Sequence, residues 1–149
     1  MSSVAIVGTG LIGASVGLAA RRAGIEDVRG WDPDAAHLAT AAERGAVDAA
    51  ADLAAALDGA DIAVVAAPVT ALPAQVRAVL DASAASVTVT DVGSTKGGVC
   101  AAAAGVGRFV GGHPICGSEA RGPLRSGYRV SATATAGSEA LSRSACPSA

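Results

Sequence analysis

Apolar residues along the chain fall into two alternating kinds of segment. Val4-Ala5-Ile6-Val7 and Ile62-Ala63-Val64-Val65-Ala66 are short unbroken runs, the pattern of strands buried on both faces. Shorter apolar stretches at 28–31, 87–90 and 108–110 predict further strands, and 46–49 a weak one. Between them the apolar positions take helical spacing, clearest for Leu72, Val76, Val79 and Leu80, which predict a helix between Pro73 and Ser83. Other helices are expected from Gly13 to about Gly24, over 34–44 with Pro33 in the first turn and Gly45 closing it, and over 52–57 capped by Asp52 and broken by Gly59. A poorly amphipathic alanine segment reaches Ala104. Strands and helices alternating at this length predict an α/β fold with a parallel, doubly wound sheet.

The first strand runs into Gly8-Thr9-Gly10-Leu11-Ile12-Gly13, a glycine turn that opens a helix. Gly8 permits the sharp bend, Gly10 lets a pyrophosphate approach the backbone, and Gly13 lets the helix lie close to its strand. Free N–H groups and the positive end of the helix dipole then face the phosphates. The second strand ends in Asp32, 19 positions after Gly13, near the separation expected of the acid that grips a ribose 2′-OH. Strand, turn, helix, strand and acid in this order predict a Rossmann-type dinucleotide site. The Asp32 carboxylate favours NAD over NADP, because a 2′-phosphate would meet like charge. Arg21 and Arg22 fall late in the helix, where cations complement the C-terminal dipole.

Composition narrows the classes. A chain of 149 residues with 51% hydrophobic content fills one domain with a core. The net charge of −2 and the absence of a basic run give no footprint for nucleic acid or an anionic membrane. No apolar stretch is long enough to span a bilayer and no basic region precedes the first strand, so the expectation is a cytoplasmic protein acting on a small molecule. Cys100, Cys116 and Cys146 are odd in number and lack a CxxC, which predicts reduced, packing thiols and no zinc site. No cluster of histidines and carboxylates suggests any other metal.

Ligands of a parallel sheet bind beyond the carboxyl ends of its strands. The glycine turn, Asp32, Ala67-Pro68, Ser94 and His113 all belong to that edge. A nicotinamide moves hydride and leaves proton transfer to the protein, so a base is needed, and His113 is the candidate. A loop histidine held by backbone hydrogen bonds is the bland alternative. Ser94 can orient that imidazole or the substrate, or simply cap the next helix. Lys96, the chain's only lysine, reads by default as a solvated turn residue, and Glu119 as a surface carboxylate or a charge at the cleft mouth. His37, on an exposed helix face, reads as solvated. The Tyr-x-x-x-Lys pair of short-chain dehydrogenases is missing, since Tyr128 follows Lys96.

Residues 4–17, then Asp91-Val92-Gly93-Ser94-Thr95-Lys96-Gly97, then Gly112-His113-Pro114-Ile115-Cys116-Gly117-Ser118-Glu119 together resemble the nucleotide-binding half of prephenate dehydrogenase, the tyrosine-pathway enzyme. The likeness covers residues 4–123. It implies NAD-dependent oxidative decarboxylation of prephenate, with arogenate dehydrogenase as the near neighbour. It further implies that His113 deprotonates the ring hydroxyl, that Ser94 positions it, that Lys96 lies with them on the substrate side, and that Glu119 stands at the entrance of the substrate site. The family is homodimeric through a helical second domain that completes the substrate pocket.

Residues 124–149 match none of that helical domain and lack apolar runs or a clear period. The expected organisation is therefore a nucleotide-binding domain over 1–123 and a non-matching tail over 124–149, out of frame or following a truncation. A catalytically silent NAD-binding fragment is the rival reading. A dehydrogenase of the same fold acting on 3-hydroxy acids is a third.

Overall fold

The structure, a computed structural model, describes residues 2–112. β1 (Ser3–Val7), α1 (Leu11–Arg22), β2 (Asp27–Trp31), α2 (Ala35–Glu43), β3 (Asp48–Ala49), α3 (Leu53–Leu57), β4 (Ile62–Val65), α4 (Leu72–Ala82), β5 (Thr88–Asp91), α5 (Gly97–Ala102) and β6 (Phe109–Val110) follow one another in the chain. The six strands form one sheet in the order β3-β2-β1-β4-β5-β6, and every pairing is parallel. From β1 the chain winds outward to β2 and β3, then returns to place β4 on β1's other side. The expected doubly wound sheet is present, and its topological switch point falls between β1 and β4.

Successive side chains of a strand point to opposite faces, and β1 feeds both layers. Ala5 and Val7 join a core with Leu57, Val65, Leu72, Val76, Val79 and Val89, while Val4 and Ile6 join another with Ala14, Val28, Ala41 and Val47. All of β1 is buried, which is why its sequence is a continuous apolar run.

Several boundaries differ from the sequence reading for local reasons. Asp34 caps α2 by accepting from the Ala36 and His37 N–H groups, so Pro33 precedes the helix and does not occupy its first turn. Only Asp48 and Ala49 pair in β3, although Ala46 and Val47 are buried beside them. Pro73 sits inside the first turn of α4, where its missing N–H costs nothing. Asp52 caps α3 through the Ala55 N–H at 2.7 Å, as expected.

Arg108 closes the C-terminal end of α4. Its guanidinium donates to Ser83 Oγ at 2.8 Å, to the Val87 and Ser83 carbonyls at 3.1 and 3.3 Å, and to the Leu80 carbonyl. A planar fork of donors is suited to several carbonyls at once. Arg108→Ala should therefore cost about 1–3 kcal/mol, since buried carbonyls lose charge-assisted bonds. The urea midpoint measures this, and an unchanged midpoint would show that water replaces the guanidinium.

Candidate functional site

The glycine turn is fixed from both sides. Gly8 donates its N–H to the Trp31 carbonyl at 2.9 Å, and its φ of +95° suits glycine. A Cβ there would stand 2.6 Å from the Ala66 carbonyl oxygen and 3.2 Å from the Ala67 nitrogen. The turn is thereby pressed against the exit of β4, which brings Ala67 to it. Gly13 is tighter still: a Cβ would lie 1.8 Å from the Gly8 carbonyl oxygen and 3.2 Å from Ile6 Cγ2. Its closest approach is thus to the turn, with the strand side chain second. Around Gly10, by contrast, a Cβ would meet nothing within 4 Å.

That open space lies at the start of α1. The first bond of the helix is from the Ala14 N–H to the Gly10 carbonyl, so the N–H groups of Leu11, Ile12 and Gly13 have no acceptor within the helix. No side chain caps this end and its first turn holds no acidic residue, while Arg21 and Arg22 occupy the last turn. Arg21 is held there by Asp48 at 2.8 Å and by the Glu26 and Val28 carbonyls. The helix therefore presents donors and positive potential to the space that a glycine at position 10 leaves free.

Asp32 borders the same space. Its Oδ2 accepts from the Thr9 N–H at 2.6 Å and from Thr9 Oγ1 at 3.2 Å, and its Oδ1 accepts from the Asp34 N–H at 2.9 Å. Thr9 is fully buried, so its contribution to a ligand is indirect: it holds the carboxylate. With two bonds on Oδ2 and one on Oδ1, the Oδ1 oxygen keeps acceptor capacity for a ribose hydroxyl. These groups fit a dinucleotide, with phosphates at the Gly10 space and ribose at Asp32.

Across the edge, Pro68 accepts from the Ala71 and Leu72 N–H groups, both at 2.9 Å, and starts the turn into α4. Val69 beside it is exposed. Ser94 and Lys96 follow β5, so three strand spacings, roughly 14 Å, separate the Asp32 strand from theirs. Ser94 is exposed and does not cap α5, whose N-cap is Lys96 with no side-chain cap bond. Lys96 is not a free solvated residue either. Its Nζ donates to Asp91 Oδ2 at 2.5 Å and to the Gly112 carbonyl. His37, on α2, is half exposed, with Nδ1 3.7 Å from Asp34. His113 and Glu119 lie outside the described residues, as does the 124–149 segment.

Sequence reasoning assigned no role to Asp91 itself. Its side chain has no solvent exposure, yet it takes bonds from Gly93, Lys96 and Gly112. A carboxylate closing an apolar strand, five positions before the chain's only lysine, was the available signal. Among the described residues no group of three or more potential metal ligands occurs, and no helix is long and apolar enough to cross a membrane.

A parallel sheet ordered 3-2-1-4-5-6, with a glycine turn at its switch point and an acid at the end of β2 beside it, defines a Rossmann-type nucleotide-binding domain. The model of the prephenate dehydrogenase nucleotide-binding domain matches residues 16–130, and the chain belongs to that family. An arogenate dehydrogenase from Synechocystis is 30% identical with a TM-score of 0.73, over 84% of this chain and 45% of the other. A prephenate dehydrogenase from Aquifex aeolicus is 31% identical with a TM-score of 0.75, over 85% and 47% respectively. The A. aeolicus enzyme has also been solved in complex with hydroxyphenyl propionate and NAD+, at 30% identity and a TM-score of 0.72, over 83% of this chain and 45% of that one. The chain spans under half the length of these proteins. No curated protein sequence matches it.

Proposed function

We propose that the chain carries the NAD site and the proton acceptor of a prephenate or arogenate dehydrogenase of tyrosine biosynthesis, acting in the cytoplasm. The observation that carries this reading is the open space at Gly10, flanked by uncapped α1 N–H groups and by Asp32. NAD, when bound, supplies the hydride acceptor. Gly8 to Gly13 hold its pyrophosphate, Asp32 its adenosine ribose, and Ala67 and Pro68 line the path toward the nicotinamide. Ser94, just after β5, orients the substrate hydroxyl, and His113 accepts its proton while hydride leaves the ring carbon that bears it. Loss of carbon dioxide then makes the ring aromatic, which drives the reaction. Lys96 has two of its three donors committed, leaving one N–H for a substrate oxygen. Glu119 stands at the entrance in this reading.

The test is NADH formation by the purified chain with prephenate and with arogenate, beside calorimetric titration of NAD. Turnover of either substrate supports the reading and tells the two apart. Binding without turnover favours a silent NAD-binding fragment, and no dinucleotide binding overturns both.

Cofactor choice gives a separate expectation. NAD should bind about tenfold or more tightly than NADP, because Asp32 would face the 2′-phosphate. Asp32→Asn should narrow that gap, since it removes the charge and keeps an acceptor for Thr9. Equal affinities in the unmodified chain would show that Asp32 does not face the ribose.

A further inference from the structure

Beyond β5 a carboxylate, an ammonium and a glycine are tied together. Buried Asp91 accepts from the Gly93 N–H at 2.8 Å and from Lys96 Nζ at 2.5 Å through Oδ2, and from the Gly112 N–H at 3.1 Å through Oδ1. Lys96 donates in turn to the Gly112 carbonyl. A Cβ at Gly112 would stand 2.4 Å from the Asp91 carbonyl oxygen and 3.0 Å from Thr90 Oγ1, so the backbone there lies against β5 at a distance that a side chain would prevent. Both polar groups of one glycine's backbone are thus held by one ion pair.

An ion pair whose carboxylate is buried is a poor device for stability alone, because desolvation offsets much of the attraction. What this pair adds is direction. The Gly112 carbonyl belongs to the planar peptide unit that ends at the Cα of His113. With its N–H bound by Asp91 and its carbonyl bound by Lys96, Gly112 cannot rotate either adjoining peptide without breaking a charge-assisted bond.

We propose that Asp91 and Lys96 are positioning residues for His113, because they fix the Gly112 peptide units to which it is joined. This rests on the reading of His113 as the proton acceptor. It accounts for a lysine spent on a backbone carbonyl and for a carboxylate with no exposure beside a ligand site.

The experiment is imidazole NMR on the full chain carrying Asp91→Asn, Lys96→Met or Lys96→Arg. The chain has two histidines, and His37 on α2 serves as the internal reference. Asp91→Asn and Lys96→Met should move the His113 signals while leaving those of His37 unchanged and NAD affinity within about twofold, and Lys96→Arg should recover most of the original position. In turnover assays kcat should fall about tenfold or more, with KM for NAD unchanged, as expected of a displaced base. Lys96 is partly open to solvent, so Lys96→Met carries the decision should Asp91→Asn not fold. A folded Lys96→Met chain with unmoved His113 signals overturns the proposal. If the unmodified chain shows no turnover, the proposed activity fails, and the NMR comparison still decides the pair.

Discussion

Gly13→Ala is expected to remove a large share of the domain's stability, whereas Gly10→Ala, three residues earlier on the same turn, should leave the chain folded and weaken its hold on a dinucleotide. At Gly13 the added methyl would lie 1.8 Å from a backbone oxygen, which no rotamer change relieves. Helix α1 or the turn must move, at a cost of about 3 kcal/mol or more, a large share of the roughly 5–15 kcal/mol that stabilises a domain. At Gly10 the backbone is extended and the methyl meets nothing, so stability should change by no more than about 1 kcal/mol. The methyl occupies the space where a pyrophosphate would approach, and losing one charge-assisted bond weakens NAD about tenfold or more. Urea midpoints and calorimetric titration separate the two effects. Gly10→Ala binding NAD as tightly as the unmodified chain would remove the phosphates from this turn.

His113→Asn should abolish most turnover and leave NAD binding alone. Asparagine is similar in size but cannot accept a proton near neutral pH, and loss of a general base costs about 10²–10⁴ in rate. The comparison is kcat with prephenate or arogenate against the NAD dissociation constant. Intact turnover would favour a dehydrogenase of the same fold with a different base. A parallel loss of NAD affinity would point to a structural role for the imidazole.

The sequence by itself determined the architecture and the placement of the glycine turn beside Asp32. Continuous apolar runs such as Ile62 to Val65 are required only of strands covered on both faces, and the glycines and Asp32 mark backbone geometry at fixed separations, so both kinds of information are local in the chain. Tertiary structure alone decided what Lys96, Gly112 and Asp91 do. Lys96 read as a solvated turn residue because nothing within a few positions shows that the end of β6 passes beside it. Gly112 carried no sign that it must lie against Asp91, for the same reason. Ser94 follows suit: whether it caps the next helix depends on how the turn after β5 enters α5, where Lys96 holds the N-cap position. Periodicity and spacing report a residue's immediate neighbours, whereas the partners of a buried charge are chosen by strand order, and that exists only once the sheet has assembled.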